Sequence, residues 1–120
     1  MDAPHGERFP KALRLRARRE FVHVQEQGVK VAAGPLLGLA LRSGRPATRV
    51  GLTVSSKVGN AVERVRIRRR LRELFRRRRG LLPGGLDVVL IARPAAKQAE
   101  TPALAQAFEA IAVKLRSLFP

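Results

Sequence analysis

The spacing of apolar residues predicts three β-strands. Apolar residues dominate residues 36–41, 49–55 and 86–92, and glycine, proline or serine residues lie between these runs. Residues 43–46 are typical of a turn, so we expect the first two strands to form an antiparallel pair. Residues 86–92 are almost entirely apolar, which is typical of a central strand with both faces covered.

Helical spacing of apolar residues predicts three helices around these strands. The first is short and spans residues 18–27. Asn60 is a good N-cap for a long second helix that ends near residue 79. Thr101 is the predicted N-cap of the third helix, with Pro102 at its first position. The apolar face of this last helix comprises Leu104, Phe108, Ile111, Leu115 and Leu118.

The predicted order is helix, strand, strand, helix, strand, helix, with room for one further short strand. This order defines an α+β fold in which helices cover a small mixed sheet. The length of 120 residues suits a single domain. Residues 1–12 contain proline and glycine without a periodic pattern, so we expect a flexible arm there and one domain over residues 13–120.

The net charge of the chain indicates the class of molecule that it binds. There are 25 Lys plus Arg against 9 Asp plus Glu, and the formal net charge is +16. Such an excess favours a polyanionic partner, most often nucleic acid, with an anionic membrane second. The sequence has no Trp, no Tyr, no Cys, no long apolar run and no apolar signal segment. We therefore expect a cytoplasmic nucleic-acid-binding protein without membrane contact.

The positive charge is concentrated on the second predicted helix. At about 100° per residue, Ile67, Leu71, Leu74 and Phe75 form one apolar face that should pack on the sheet. Acidic residues hardly interrupt the opposite face, although like charges one turn apart destabilise a helix. We interpret that face as a phosphate-binding surface. The arginines on it are Arg68, Arg69, Arg72 and Arg76, and those on its flanks are Arg64, Arg66 and Arg70.

Two residues of this helix leave alternatives open. Val65 lies within the basic face, where it suits either an apolar contact with the partner or a position that tolerates the loss of a polar contact. Asn60 suits either a simple helix cap or a phosphate contact at the helix N-terminus.

The sequence offers no catalytic constellation. The acidic residues and the two histidines are scattered, with no D-x-D or H-x-E pair. A protein nuclease would need clustered carboxylates for metal ions, or a histidine-based acid and base. We therefore predict no catalytic residue and no metal ligand in the protein itself.

Residues 57–73 read KVGNAVERVRIRRRLRE, which resembles the signature of the bacterial ribonuclease P protein subunit, K-x-G-x-A-V-x-R-N-x-x-K-R-x-x-R-E. Residues 49–55 match its R-x-G-L-T-V-S strand, and residues 87–93 match its D-hydrophobic-I-A-R strand. Phe21, Val24 and Gly28 match an early F-x-x-V-x-x-x-G pattern. The resemblance covers nearly the whole chain after the first dozen residues.

The resemblance implies the small partner of a catalytic RNA. That holoenzyme removes the 5′ leader of precursor tRNA by metal-dependent phosphodiester hydrolysis, with Mg²⁺ held mainly by the RNA and none by the protein alone. The implied partners are ribonuclease P RNA and the precursor tRNA leader, with one protein monomer per RNA and no DNA. The implied fold is a ribosomal-protein-like sandwich with a left-handed strand–helix–strand crossover.

The resemblance also implies two sets of site residues. Together with the helix pattern, it predicts RNA contacts at Lys57, Asn60, Arg64, Val65, Arg66, Arg68, Arg69, Arg72 and Arg76. It places the 5′ leader in a cleft formed by Phe21, Leu37, Leu39, Val89 and Ile91. Val65 departs from the motif, which has asparagine there, and so removes a polar side chain from the basic surface.

Two rival functions share the charge and the fold class. A ribosomal or RNA-chaperone type of RNA-binding protein, without enzymatic role, would not prefer a leader-bearing precursor over mature tRNA. A nucleoid-type protein would bind duplex DNA as tightly as RNA.

Overall fold

Residues 11–120, which the computed structural model describes, contain three α-helices and one four-stranded sheet. The α+β class and the predicted order of elements are confirmed, and β1 is the further short strand. The helices are α1 (Arg18–Gln27), α2 (Ala61–Arg78) and α3 (Thr101–Leu118). The strands are β1 (Val29–Ala33), β2 (Leu36–Arg42), β3 (Arg49–Thr53) and β4 (Leu86–Ala92).

The strands lie in the order β1-β2-β4-β3, so the predicted pairing of the strands at residues 36–41 and 49–55 is wrong. Strand β4 lies between them, antiparallel to β2 and parallel to β3. The reason is burial, because β4 carries buried side chains on both faces and therefore belongs in the middle of the sheet. Strand β2 forms its hairpin with β1 instead, through a turn in which Gly34 has a φ of 50°.

Apolar side chains fill both sides of the sheet, in two separate clusters. Alternation along β4 sends Val88 and Leu90 to one face and Val89 and Ile91 to the other. Helices α2 and α3 cover the first face and form the main core with it. Helix α1 covers the second face with a smaller cluster. The predicted apolar face of α2 is buried in the main core as expected.

Helix α3 differs from its prediction at both ends. Its N-cap is Glu100 rather than Thr101, so Pro102 occupies the second helical position instead of the predicted first. Leu118 was placed on the buried face but is 41% exposed. Phe119, just beyond the helix, packs against the core in its place. The other four predicted apolar positions of this helix are buried.

The segment before α1 adds to the edge of the sheet. Of the predicted arm, residues 1–10 lie outside the described part of the chain, and Lys11 and Ala12 belong to a short 3-10 helix. Leu15 then donates its backbone N–H to the carbonyl oxygen of Val50 at 3.1 Å. Strands β3 and β4, joined by α2, form the parallel unit to which the predicted left-handed crossover refers. Within residues 11–120, no helix is long and apolar enough to cross a membrane.

Candidate nucleic-acid interface

A reciprocal cap fixes the start of α2. The Asn60 side chain accepts a hydrogen bond from the Glu63 N–H at 2.8 Å, and the Glu63 carboxylate accepts one from the Asn60 N–H at 2.8 Å. This hydrogen bond from the Asn60 backbone holds the pKa of Glu63 below its ordinary value. A Cβ at Gly59 would lie 2.4 Å from the Glu63 carboxylate, which explains the glycine before the cap. Asn60 is therefore the predicted N-cap, and its predicted RNA contact stays a prediction.

Five arginines on the first three turns of α2 form a basic row, defined as Arg64, Arg66, Arg68, Arg69 and Arg72. None of the five forms an ion pair with a carboxylate of residues 11–120. The Nε–H of Arg64 is buried and has no hydrogen-bond partner in that part of the chain. Buried donors are normally paired, so Arg64 departs from the pattern of a purely structural arginine, and the predicted RNA contacts of the basic row stay a prediction.

The arginines near the C-terminal end of α2, unlike the basic row, form ion pairs with carboxylates. Glu73 accepts hydrogen bonds from Arg76 at 3.0 Å and from Arg77 at 2.7 Å. These bonds, the one from Arg76 first, lower the pKa of Glu73 to about 2. Arg78 forms an ion pair with Glu109 of α3 at 2.9 Å. These three held arginines, Arg76 to Arg78, also lie where the helix dipole favours positive charge. Arg76 was predicted to contact RNA; Glu73 pairs with it in this structure, and the RNA contact stays a prediction.

The predicted leader cleft forms one apolar surface on the α1 side of the sheet. In the pairing of β2 with β4, Leu37 lies opposite Ile91 and Leu39 lies opposite Val89. Phe21 of α1 packs against the same cluster. Leu39 and Val89 are buried, whereas Phe21, Leu37 and Ile91 are half-buried. The five residues therefore form one apolar surface, called here the apolar cleft, with a buried centre and a partly exposed edge, and its contact with a leader stays a prediction.

Phe21 is positioned by a glycine of β3. A Cβ at Gly51 would lie 2.4 Å from Cε2 of Phe21, so any side chain at this position would displace the ring. The ring consequently rests directly on the strand backbone, with one part still exposed. This contact explains why the R-x-G-L-T-V-S segment needs its glycine. It also places a partly exposed aromatic ring at the edge of the apolar cleft.

An arginine network ties α1 to the sheet beside the apolar cleft. Arg49 of β3 binds Asp87 of β4 through two hydrogen bonds of 2.9 and 2.8 Å, and it reaches Glu20 of α1 at 3.0 Å. The Asp87 carboxylate raises the pKa of Arg49. Hydrogen bonds from the Ala17 and Arg16 N–H groups, Ala17 first, lower the pKa of Glu20. The network thus fixes the first turn of α1, just before Phe21.

A pocket of about 250 Å³ joins the apolar cleft to the basic row. Phe21 and Gly51 line its apolar side, and Arg68 and Arg72 of α2 line the other. Arg14 and Arg16, from the segment before α1, complete the wall. A strand of nucleic acid lying here would meet guanidinium groups and an aromatic ring together. Phosphate contacts and base stacking are the two interactions that proteins use to bind single strands.

The remaining predicted residues lie around this centre. Lys57 is exposed in the turn before α2. Val65 is 49% exposed and lies beside Arg66 and Arg69 rather than on the side of the pocket. The sequence did not predict that Leu15 and Val24 are buried in the same cluster as the cleft residues. Val24 was recognised in the family pattern, but Leu15 precedes α1 in a segment that carries no periodic signal.

The described residues do not offer a magnesium site of their own. Within residues 11–120 there is no group of three or more His, Asp or Glu residues that could hold a metal ion. The carboxylates near the interface are already engaged, Glu63 by the helix cap, Glu73 by arginines and Asp87 by Arg49. The donor set therefore does not fit a divalent ion held by the protein alone.

The fold and the surface together define a small α+β protein whose basic face and apolar cleft suit a single-stranded polyanion. The family model described as ribonuclease P matches residues 9–116. The chain belongs to the ribonuclease P protein family.

Relatives and solved structures agree with this family. The ribonuclease P protein component of Streptomyces avermitilis is 41% identical over 117 residues, which covers 89% of this chain and 94% of that protein. The Staphylococcus aureus RNase P protein structure has a TM-score of 0.78 at 29% identity, and the match covers 92% of this chain and 100% of that one. The Thermotoga maritima RNase P protein structure has a TM-score of 0.77 at 28% identity, covering 84% and 96%.

Proposed function

We propose that the protein binds the RNA subunit of ribonuclease P and the 5′ leader of precursor tRNA in the cytoplasm. In this function it assists the endonucleolytic removal of that leader, as one monomer per RNA. Membership of the family supports a part in a tRNA-processing ribonucleoprotein. The structure adds a physical basis for the two RNA contacts.

The observation that carries the proposal is the junction between the basic row and the apolar cleft. Arg68 and Arg72 face the same pocket as Phe21, so a strand leaving the cleft passes directly to the arginines. Helix α2 has 18 residues and a length of about 27 Å, which spans several phosphates. The basic row would hold the RNA subunit, and the apolar cleft would take the unpaired leader beside it.

The protein's own contribution is positioning and charge. Hydrolysis by the holoenzyme needs divalent ions, and the engaged carboxylates of this chain are unsuited to hold them. We therefore assign the chemistry to the RNA subunit. The arginines of the basic row reduce the repulsion between two RNA molecules, and the cleft fixes the direction of the leader. Such effects are strongest where magnesium is scarce, since bound cations then screen fewer phosphates.

Reconstitution tests the proposal. A bacterial ribonuclease P RNA is mixed with a leader-bearing precursor tRNA at low magnesium, with and without this protein. We expect accurate 5′ cleavage only when both RNA subunit and protein are present. Binding of RNA without any effect on cleavage would contradict the proposal and favour a ribosomal or chaperone function.

A conservative variant tests the cleft within the same assay. Phe21→Leu keeps the apolar volume but removes the aromatic face, and stacking on such a face is worth about 1–3 kcal/mol per base. We expect the preference for precursor over mature tRNA to fall about fivefold or more. Phe119→Leu is the matched control, because that ring lies beyond α3 and packs on the other core. Equal loss in both variants would argue against a leader contact at Phe21.

A further inference from the structure

Two exposed valines interrupt the charged surface of α2. Val62 is 70% exposed and Val65 is 49% exposed, and both lie one turn or less from arginines of the basic row. With Ala61, Arg66 and Arg69 they line an open groove of about 360 Å³, called here the valine groove. No other described side chain lines it. The valine groove therefore has an apolar floor and a cationic rim.

The position of the groove indicates what kind of molecule covers it. Neither Arg66 nor Arg69 forms a close ion pair with a carboxylate of the described chain, and Arg66 has only a longer-range attraction to Glu63, so both guanidinium groups can still bind an anion. A duplex presents a row of phosphates and sugars to such a surface, with the base faces stacked inside. An extrahelical nucleotide presents an apolar base face and a phosphate together. Only the second arrangement complements valines flanked by guanidinium groups.

We propose that the valine groove binds an unstacked nucleotide of the RNA partner, with the base on Val62 and Val65 and the flanking phosphates on Arg66 and Arg69. This inference rests on the proposed RNA-binding function and deepens it. The apolar floor selects single-stranded or bulged RNA, whereas the arginines alone would accept any RNA backbone. The valine at position 65, where the family motif has asparagine, thus gives this chain an apolar contact in place of a polar one.

The test compares two RNA probes of equal phosphate number, a short single strand and a blunt duplex. Val65→Asn should weaken binding of the single strand about three- to tenfold, as expected for partial loss of one buried valine. Binding of the duplex should not change. The slope of log affinity against log salt should also stay constant, because no cation is removed. Val65→Ala should act in the same direction with a smaller effect.

Val113→Asn is the matched control, since Val113 is a similarly exposed valine on α3, outside the groove. It should leave both probes unaffected, and thermal unfolding of each variant checks that the fold is intact. Equal effects of Val65→Asn on single strand and duplex, or no effect, would overturn the groove proposal.

Arg69→Ala separates this proposal from the proposed function. If Arg69→Ala weakens binding of both probes while Val65→Asn changes neither, the groove proposal fails and RNA binding by α2 stands. If Arg69→Ala also changes nothing, RNA binding by this face of α2 fails, and the groove proposal fails with it.

Discussion

The two ends of α2 contain the same residue type in different circumstances. From Arg64 to Arg72, the five arginines of the basic row lack an ion pair with any carboxylate of residues 11–120, and the sixth, Arg70, donates to the carbonyl oxygen of Ala99 instead. From Arg76 to Arg78, three arginines are held by Glu73 and Glu109. Both ends share one buried stripe, so packing does not distinguish them. The distribution of acidic residues does.

This difference shows how one helix serves two purposes. The held arginines end the helix where its dipole favours cations, and Arg78 joins α2 to α3. Those in the basic row repel one another along the helix, a cost of a few tenths of a kcal/mol per pair. Packing of the buried stripe holds the helix despite that cost, and a bound anion would remove the repulsion. Under the proposed function, a count of all arginines would therefore overestimate the RNA-binding surface.

The largest expected effect comes from removing a core side chain of α2, on whose packing both groups of arginines depend. Phe75 is the largest side chain of the buried stripe of α2 and lies in the main core. Phe75→Ala should reduce the free energy of unfolding by about 3–5 kcal/mol. Urea denaturation measures this loss. A change below about 1 kcal/mol would mean that α2 is anchored elsewhere.

A second prediction compares a buried arginine ion pair outside α2 with an exposed one at the end of α2. Arg49 and Asp87 form a two-bond pair whose side chains are only 13% and 14% exposed. Asp87→Asn should cost about 1–3 kcal/mol of unfolding free energy, because the largely buried guanidinium loses its two-bond carboxylate partner and keeps only Glu20. Glu109→Gln is the control, since its pair with Arg78 is exposed and worth less than about 1 kcal/mol. Equal costs for the two variants would show that burial does not set the value of these pairs.

A smaller effect is expected when the ion pairs at the C-terminal end of α2 are removed while its arginines are kept. Glu73→Gln removes the carboxylate that Arg76 and Arg77 share. It should lower the free energy of unfolding by about 0.5 kcal/mol and strengthen binding of ribonuclease P RNA by about twofold at low salt. Filter binding at several salt concentrations measures the second effect. Weaker RNA binding would mean that Glu73 helps to present the basic row.

The smallest effect concerns pH. The Arg76 and Arg77 hydrogen bonds lower the pKa of Glu73 to about 2, from an ordinary value of 4.5. Because the folded-state pKa is depressed, the pairing contributes stability above pH 4.5 and loses it as the pH falls toward about 2. The pairing should therefore persist at pH 5. An NMR titration of the Glu73 carboxyl should give a midpoint near 2, and a midpoint near 4.5 would contradict the pairing.

Local patterns along the sequence predicted much of this arrangement. The buried stripe of α2 follows from helical spacing, and the Asn60 cap follows from its side chain. The cleft residues came from the family resemblance, and the alternation of β2 supported the shared face of Leu37 and Leu39. These features depend on residues close in sequence, or on a motif with fixed spacing.

Features that depend on distant partners were beyond the sequence. The pairing of β3 with β4 rather than β2 is decided by burial of β4 in the whole domain. The division of arginines into unpaired and held required the position of Glu109, 31 residues away from Arg78. Strand β1 was left as one optional strand, because its five residues carry only a weak alternation.

The most direct test of the account compares two double variants in salt-dependent binding to ribonuclease P RNA. Arg68→Ala with Arg72→Ala removes two members of the basic row, and Arg77→Ala with Arg78→Ala removes two held arginines. We expect the Arg68/Arg72 double variant to reduce the slope of log affinity against log salt by about 2, and the Arg77/Arg78 double variant to leave the slope nearly unchanged. Equal reductions by the two pairs would contradict the division of α2 into a binding end and a held end.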